Sequence, residues 1–421
     1  MICLLILPLC AYADDDSPLE PQPSATGEGS PDEPQPSATG EGSPVNNSNS
    51  SGDSADKKEK KFELGFLNIN LAFTNDFLTL ADIFQETIVL DIDRFSNGFR
   101  VNLNASIVPV YLNINLGGWG IGFAVNVEAL GIFNLSGKML TFSDAIDDKS
   151  DVSGALFASV EVNSYFNIQK FKIKVKPSLF YTIAYFKPDI SYTFDPESGN
   201  ILKLDYDVQV YTAFPLEDTG NMFDINVLPT PGIDISLGVE YAISKEFDVG
   251  LELINIPIIP SVLKNYMQFS GIIGGDEPMD LLGDGMDSLF SSFNNVNSEP
   301  SYGIGNQETR RPFRLSTWVN WRVLGTPFLT LTPMIGFSIN ELYTEVFSME
   351  FGANVCLNLS DTLLITAGTN YIDRLWRNSV DFAVNLKVFE FNIGLDMRSY
   401  DFIKSWTGGG IGINFGFMVG F

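Results

Sequence analysis

The chain ends in GGGIGINFGFMVGF, residues 408–421. Ile411, Ile413, Phe415, Phe417, Val419 and Phe421 are apolar; Gly412, Asn414, Gly416 and Gly420 between them are small or polar, and Met418 alone breaks the pattern. A terminus without a partner is normally polar and frayed. Alternation with a period of two up to the last residue describes a strand with one face buried.

The same alternation recurs upstream, and it changes phase at regular intervals. Val380, Phe382, Val384 and Leu386 are apolar at even positions, then Phe389, Phe391, Ile393, Leu395 and Met397 at odd ones, with the flip at Lys387-Val388. A tight turn between antiparallel strands produces such a flip, because the apolar set must stay on one face of the sheet. Comparable flips occur across the GGWG and NIQK stretches. About 14 segments follow the pattern: 99–116, 119–134, 154–168, 170–186, 200–214, 232–244, 246–257, 312–323, 327–341, 343–358, 361–373, 377–386, 388–400 and 408–421. Most are longer than the ~5–6 residues of a soluble strand and match the ~9–11 residues of a tilted membrane crossing.

Connections fall into two sizes. ISKEF, LGTP, NLSDT and LKVF are short, while 136–151, 215–231 and 258–311 are long. Short turns on one rim and long loops on the other describe an outer-membrane barrel. Taken strictly, this alternation puts the short turn near residue 168 on the wrong rim, so one segment between 171 and 245 is miscounted. The expected fold is all-β: a transmembrane antiparallel β-barrel of about 14 strands (range 12–16) over 98–421.

Composition narrows the function. Hydrophobic residues are 45% of the chain and charged residues 18%, without any apolar run of the ~18 residues that a spanning helix needs. The net charge of −27 argues against nucleic acid, whose phosphates require Lys and Arg. The chain contains no histidine, which removes Ser-His-Asp triads, Cys-His pairs and His-ligated zinc. The glycines of GGGIGINFG follow no strand-to-helix context, so they are no dinucleotide fingerprint. No residue is assigned to catalysis, a cofactor or a metal, and the chain is read as a non-enzyme.

MICLLILPLCAYA, residues 1–13, has the apolar run and small-x-small end of a signal peptide. Leu9 is too large to precede a lipidated Cys10, and cleavage leaves Cys356 alone, without a disulfide partner. Residues 14–61 hold a 13-residue acidic Pro/Gly/Ser repeat beginning at Glu20 and Glu33, too poor in apolar groups to offset ordering entropy, and are read as a disordered tail.

Three sets of residues carry functional expectations. The polar face of the strands holds Lys170, Lys172, Lys174, Lys176, Asp205, Asp207, Asp234, Glu240, Arg314 and Arg322. Lys or Arg on the lipid face at mid-depth costs ~2–4 kcal/mol, so these residues are assigned to the lumen wall. In 99–116 the apolar phase slips near Ile107, Val108 and Pro109. One inserted residue is a β-bulge, and proline favours such positions, so this site is the expected lateral opening. Asn414, Gly416, Val419 and Phe421 follow the polar-x-Gly-x-x-aromatic-x-aromatic ending of outer-membrane barrels, with Val419 in place of one aromatic, and are read as the insertion signal for the barrel-assembly machinery. Tyr343, Tyr371, Trp376, Tyr400, Phe402 and Trp406 lie near strand ends, as an aromatic girdle at the headgroup level would.

With the signal segment, about 14 strands, a mixed segment 62–97, a kinked strand and terminal Phe421, the chain resembles the FadL-like long-chain fatty-acid transporters, in their divergent spirochaetal branch. The resemblance implies that 62–97 is a hatch plugging the lumen and that hydrophobic ligands leave sideways at the kink. The Asn-Pro-Ala stretch expected in such a hatch is absent, so no ligand-binding residue is carried over. The expectation is uptake of hydrophobic small molecules, long-chain fatty acids included, in the bacterial outer membrane, where the apolar belt meets lipid. The long loops, with YMQFSGIIGG and MDSLFSSF, would capture ligand. An open porin for polar solutes and a surface adhesin or antigen displaying 258–311 are the alternatives.

Overall fold

The computed structural model describes residues 60–75, 99–135, 148–195, 201–214, 229–274, 301–323, 325–360 and 362–421. The segments read as signal peptide, most of the acidic tail, 76–97 and MDSLFSSF lie outside these residues.

The described residues form eighteen strands. In chain order they are β1 Phe62–Asn75, β2 Phe99–Asn115, β3 Trp119–Leu135, β4 Asp148–Ile168, β5 Phe171–Phe186, β6 Asp189–Asp195, β7 Ile201–Thr212, β8 Gly232–Ala242, β9 Phe247–Ile259, β10 Ser261–Gly274, β11 Ser301–Thr309, β12 Phe313–Val323, β13 Leu329–Ile339, β14 Phe347–Leu359, β15 Leu363–Ile372, β16 Leu375–Leu386, β17 Phe389–Ser399 and β18 Gly410–Gly420. Fourteen of them close a ring of antiparallel pairs in the order β1, β2, β3, β4, β5, β8, β9, β12, β13, β14, β15, β16, β17, β18 and back to β1. The remaining four form a ribbon at one rim. There β6 pairs with β7, β7 with β10 and β10 with β11, and the ribbon is joined to the ends of β4 and β5.

The barrel is inside out compared with a soluble protein. Outward residues are apolar and exposed: Leu395 is 55% accessible, Ile335 53% and Ile413 47%. Inward residues are polar and buried: Asn126 is 1% accessible, Asn320 2% and Glu350 0%. Only an apolar solvent makes this arrangement favourable, and within hydrocarbon only a closed sheet pairs every backbone group. The fold is therefore a transmembrane β-barrel of the outer-membrane type.

Strand directions place the start of β1, the end of β18 and the junctions β2–β3, β4–β5, β8–β9, β12–β13, β14–β15 and β16–β17 on one rim. The other strand ends, with the two-residue β15–β16 turn, and the ribbon lie on the opposite rim, here called the ribbon rim. Aromatic side chains gather at both levels: Phe62 stacks on Phe421 at 5.3 Å and Phe247 on Trp321 at 6.1 Å near the short-turn rim. Near the ribbon rim, Tyr371, Trp376 and Phe402 form a chain of ring contacts at 5.2 and 4.7 Å.

Two expectations are corrected. Residues 62–75 are no hatch: they are β1, hydrogen-bonded to β18 on one side and β2 on the other, so the barrel begins at Phe62 rather than at 98. Just before it, the carbonyls of Lys60 and Lys61 accept hydrogen bonds from the Asn115 side chain and backbone. Segment 200–214 is not in the wall either; it is β7 of the ribbon. The number of wall strands survives because the two errors cancel, and exchanging the segments returns the turn near 168 to the rim of the other short turns. β1 was hidden by a bulge at Leu67, whose φ is +55°. Register to β18 slips between Phe66 and Ile69, so the inward set changes from Glu63 and Gly65 to Asn70, Ala72 and Thr74. The alternation that reveals a strand is broken halfway along it.

Lipid-facing polarity should be costly in proportion to depth. Leu395→Arg, in mid-strand, is expected to lower the stability of the refolded barrel in vesicles by about 2–4 kcal/mol, whereas Ile403→Arg at the rim should cost about 0–1 kcal/mol, read from urea unfolding titrations.

Candidate functional site

Inside the ring, polar side chains are organised around buried arginines. Arg311, on the link between β11 and β12, is fully buried and reaches three wall strands. Its guanidinium donates to both carboxylate oxygens of Asp234 on β8 at 2.8 Å, to Glu161 on β4 at 3.1 Å, to Ser159 at 3.2 Å and to Ser178 on β5 at 2.8 Å. Lys176 meets the same Glu161 at 3.1 Å, and Glu128 stands 4.0 Å from Arg311. Burial opposes the Arg311 charge, but the bonds to Asp234 and the charges of Glu128, Asp234 and Glu161 outweigh it and hold the group above its ordinary range.

A second cluster joins Arg314 on β12 to Glu350 on β14 at 3.0 Å and to Asp373 at 2.8 Å. In a third, Arg377 and Arg398 oppose each other on β16 and β17 and share Asp396. Between these clusters lies a cavity of about 60 Å³, bounded by β2, β3, β9, β12, β13, β15, β16 and β17 and by Asn340 and Tyr343 of the β13–β14 link. It holds a few waters at most.

The link between β13 and β14, residues 340–346, folds into the mouth. β3 lies seven strands from β14 in either direction around the ring, yet Leu342 and Tyr343 pack against Ile132 on β3, Ala155 and Phe157 on β4 and Phe180 on β5. These four inward apolar residues interrupt a lumen lined mostly with Asn, Ser, Thr and charges, as the smaller group of Val108, Tyr111, Ala124 and Met418 does elsewhere on the wall. The loop is tied down at several points. Ser153 donates to the Leu342 carbonyl at 2.6 Å, Lys187 to the Glu341 carbonyl at 2.7 Å and Arg310 to the Glu341 carboxylate at 3.0 Å.

Tyr343 itself is held on three sides. Its hydroxyl accepts from the Asn102 amide on β2 at 3.0 Å and donates to the Asp373 carbonyl at 3.2 Å. The Arg374 guanidinium lies 5.0 Å from its ring centroid. Burial, and then the Asp373 carboxylate, keep the phenol well above its usual pKa, so the hydroxyl stays a neutral donor. Asp373 and Arg374 are the two residues of the β15–β16 turn, with φ of +50° and +65°. Asp tolerates this geometry, whereas Arg adopts it rarely. The turn aims one side chain at Arg314 and the other at Tyr343.

The expected site residues separate accordingly. Lys172, Lys174, Lys176, Asp234, Glu240, Arg314 and Arg322 lie on the inward parity of wall strands, and Arg322 pairs with Asp248. Lys170 instead occupies the exposed β4–β5 turn. Asp205 and Asp207 belong to the ribbon, where Asp207 accepts from Gln268 at 2.8 Å. Tyr343 is buried in the mouth rather than in a girdle. YMQFSGIIGG, read as loop, is largely β10. Ile107, Val108 and Pro109 do form a bulge: register to β3 slips between Ile107 and Val110, level with the bulge at Leu67. Behind it Val108, Tyr111, Ala124 and Met418 form a buried apolar cluster. Asn414, Gly416, Val419 and Phe421 lie on the closing strand, and Phe421 exchanges backbone hydrogen bonds with Phe62 at 3.0 Å.

Arg311, Glu128, Glu350, Asp373, Arg377, Asp396 and Arg398 were not selected from the sequence. Inward parity marks Glu128, Glu350, Arg377, Asp396 and Arg398 once the strands are phased. Nothing in the sequence marks Arg311 or Leu342, because both enter the lumen from connections.

Similar structures include the toluene transporter TbuX of Ralstonia pickettii, with 10% identity and a TM-score of 0.47 over 86% of this chain and 90% of that one. The Pseudomonas putida toluene transporter TodX gives 9% identity and 0.48 over 85% and 90%. A Pseudomonas aeruginosa FadL homologue gives 9% and 0.42 over 85% and 88%. No protein-family model and no curated protein matches the sequence.

Removing the Arg311 charge should leave Asp234 and Glu161 buried and uncompensated. Arg311→Met is expected to destabilise the barrel by about 3–5 kcal/mol in urea titrations, and adding Asp234→Asn and Glu161→Gln should recover most of that loss.

Proposed function

We propose that this barrel carries small hydrophobic molecules, long-chain fatty acids included, across a bacterial outer membrane. The observation that carries the reading is the buried apolar patch on β3–β5 inside a polar lumen, covered by residues of the 340–346 loop. A channel for polar solutes has no use for such a patch, and its lumen would be wet, whereas the inward side chains here are buried. The level bulges at Leu67 and Val108-Pro109 support sideways exit into the membrane, since the neighbouring strands β1 and β2 each lose register to their outer partners, β18 and β3, at one height. The closing strand ending at Phe421 is the segment that the barrel-assembly machinery would recognise, and outer-membrane lipids would contact the apolar belt. A second reading, display of a surface adhesin or antigen, is favoured by the ribbon of β6, β7, β10 and β11 at the rim of long connections.

Uptake of radiolabelled oleate by cells with and without the protein tests this, alongside swelling of proteoliposomes in sugars. A several-fold gain in oleate uptake without sugar-driven swelling is expected. Rapid swelling without any oleate gain would mean a porin, and neither effect would leave the display reading.

A further inference from the structure

We propose that the site now filled by Tyr343 and Leu342 is a ligand site for alkylphenols, and that the 340–346 loop occupies it as a built-in mimic. The inference rests on the transport reading and names the chemistry of its lumenal site. The Tyr343 side chain is a para-substituted phenol. Every feature of such a molecule meets a matching group supplied by other parts of the chain: the Asn102 amide donates to its oxygen, the Asp373 carbonyl accepts its hydroxyl hydrogen, and the Arg374 cation faces its ring. Beside it, Leu342 seats a branched alkyl group against Phe157, Phe180, Ala155 and Ile132. Ring, hydroxyl and alkyl group are thus recognised separately.

The occupant can leave. Apart from the Tyr343 contacts and the buried Ser153 bond to the Leu342 carbonyl, its ties are near the surface: Glu341 is held by Arg310 and Lys187, and Glu345, whose carboxylate is well exposed, by Arg374 at 3.2 Å. Solvent-exposed ion pairs hold weakly. A free alkylphenol that satisfies Asn102 and Asp373 replaces what the loop loses on swinging out. An apolar molecule without the hydroxyl leaves the buried Asn102 amide unpaired, which is penalised.

The test is calorimetric titration of 4-propylphenol and of propylbenzene into the detergent-solubilised full chain, with empty micelles as blank. Three proteins are compared: wild type, Tyr343→Ala, and Tyr343→Ala with Asn102→Ala. Tyr343→Ala should bind 4-propylphenol at least about tenfold tighter than wild type and prefer it to propylbenzene by up to about tenfold, the worth of one hydrogen bond. Asn102→Ala should abolish that preference. No gain in Tyr343→Ala, or an equal gain for both compounds that ignores Asn102, overturns the proposal.

Wild-type protein supplies a measurement that needs no variant to fold. Hydrogen exchange across 340–346 should speed up several-fold with 4-propylphenol and not with propylbenzene; unchanged exchange at saturating phenol contradicts loop displacement. If oleate uptake persists while these results fail, the transport reading stands and the phenol site falls. If uptake fails while the phenol binds, the site stands without transport.

Discussion

Hydrocarbon offers no hydrogen bonds to the backbone, so a sheet that crosses it must close. In this chain closure depends on one seam, where β1 lies against β18 from Glu63↔Gly420 to Thr74↔Gly410 and Phe62 and Phe421 exchange their backbone bonds. The rest follows. Both ends of the ring are pinned to one rim, an even number of strands is required, and most of the short turns gather at the rim where β1 begins and β18 ends. Because closure separates an inside from an outside, every strand must present Ile, Leu, Val and Phe to lipid and Asn, Ser, Thr and charge to the lumen. The chain ends on an apolar residue because its last strand is half of the seam.

A polar lumen raises a second problem, since charges out of water need partners. Arg311 solves it by gathering Asp234, Glu161, Ser159 and Ser178 from three strands. Arg314 and the Arg377–Asp396–Arg398 group repeat the solution elsewhere on the wall. Removing one partner from such a cluster costs several kcal/mol. These clusters therefore make the lumen a fixed frame in which the 340–346 loop is held by buried bonds at Leu342 and Tyr343 and by exposed ties at Glu341. The apolar patch under Leu342 is intelligible only as a surface that something apolar covers.

Most of the fold was legible in period-two alternation, because a strand between lipid and lumen obeys it more strictly than a soluble strand does. Thirteen wall strands, β2 to β5, β8, β9 and β12 to β18, could be placed this way. Alternation fails in two circumstances, and both occurred. A bulge such as that at Leu67 reverses the phase within a strand and disguises it as mixed sequence. A strand outside the ring, such as β7, alternates as well as one inside it. Site residues followed the same logic: Asp234 and Arg314 were accessible through parity, while Arg311, Leu342 and Tyr343 enter the lumen from connections, where no periodicity governs direction.

The role of β1 is the point on which a closed wall and a plugged wall differ most. Deleting residues 60–75 and following refolding into vesicles by heat-modifiable electrophoresis tests it directly. The account predicts loss of the folded, protease-resistant band, because β2 and β18 are left as open edges in lipid. A folded barrel with steady, large single-channel conductance after the deletion would contradict it, since that is what removing a plug produces.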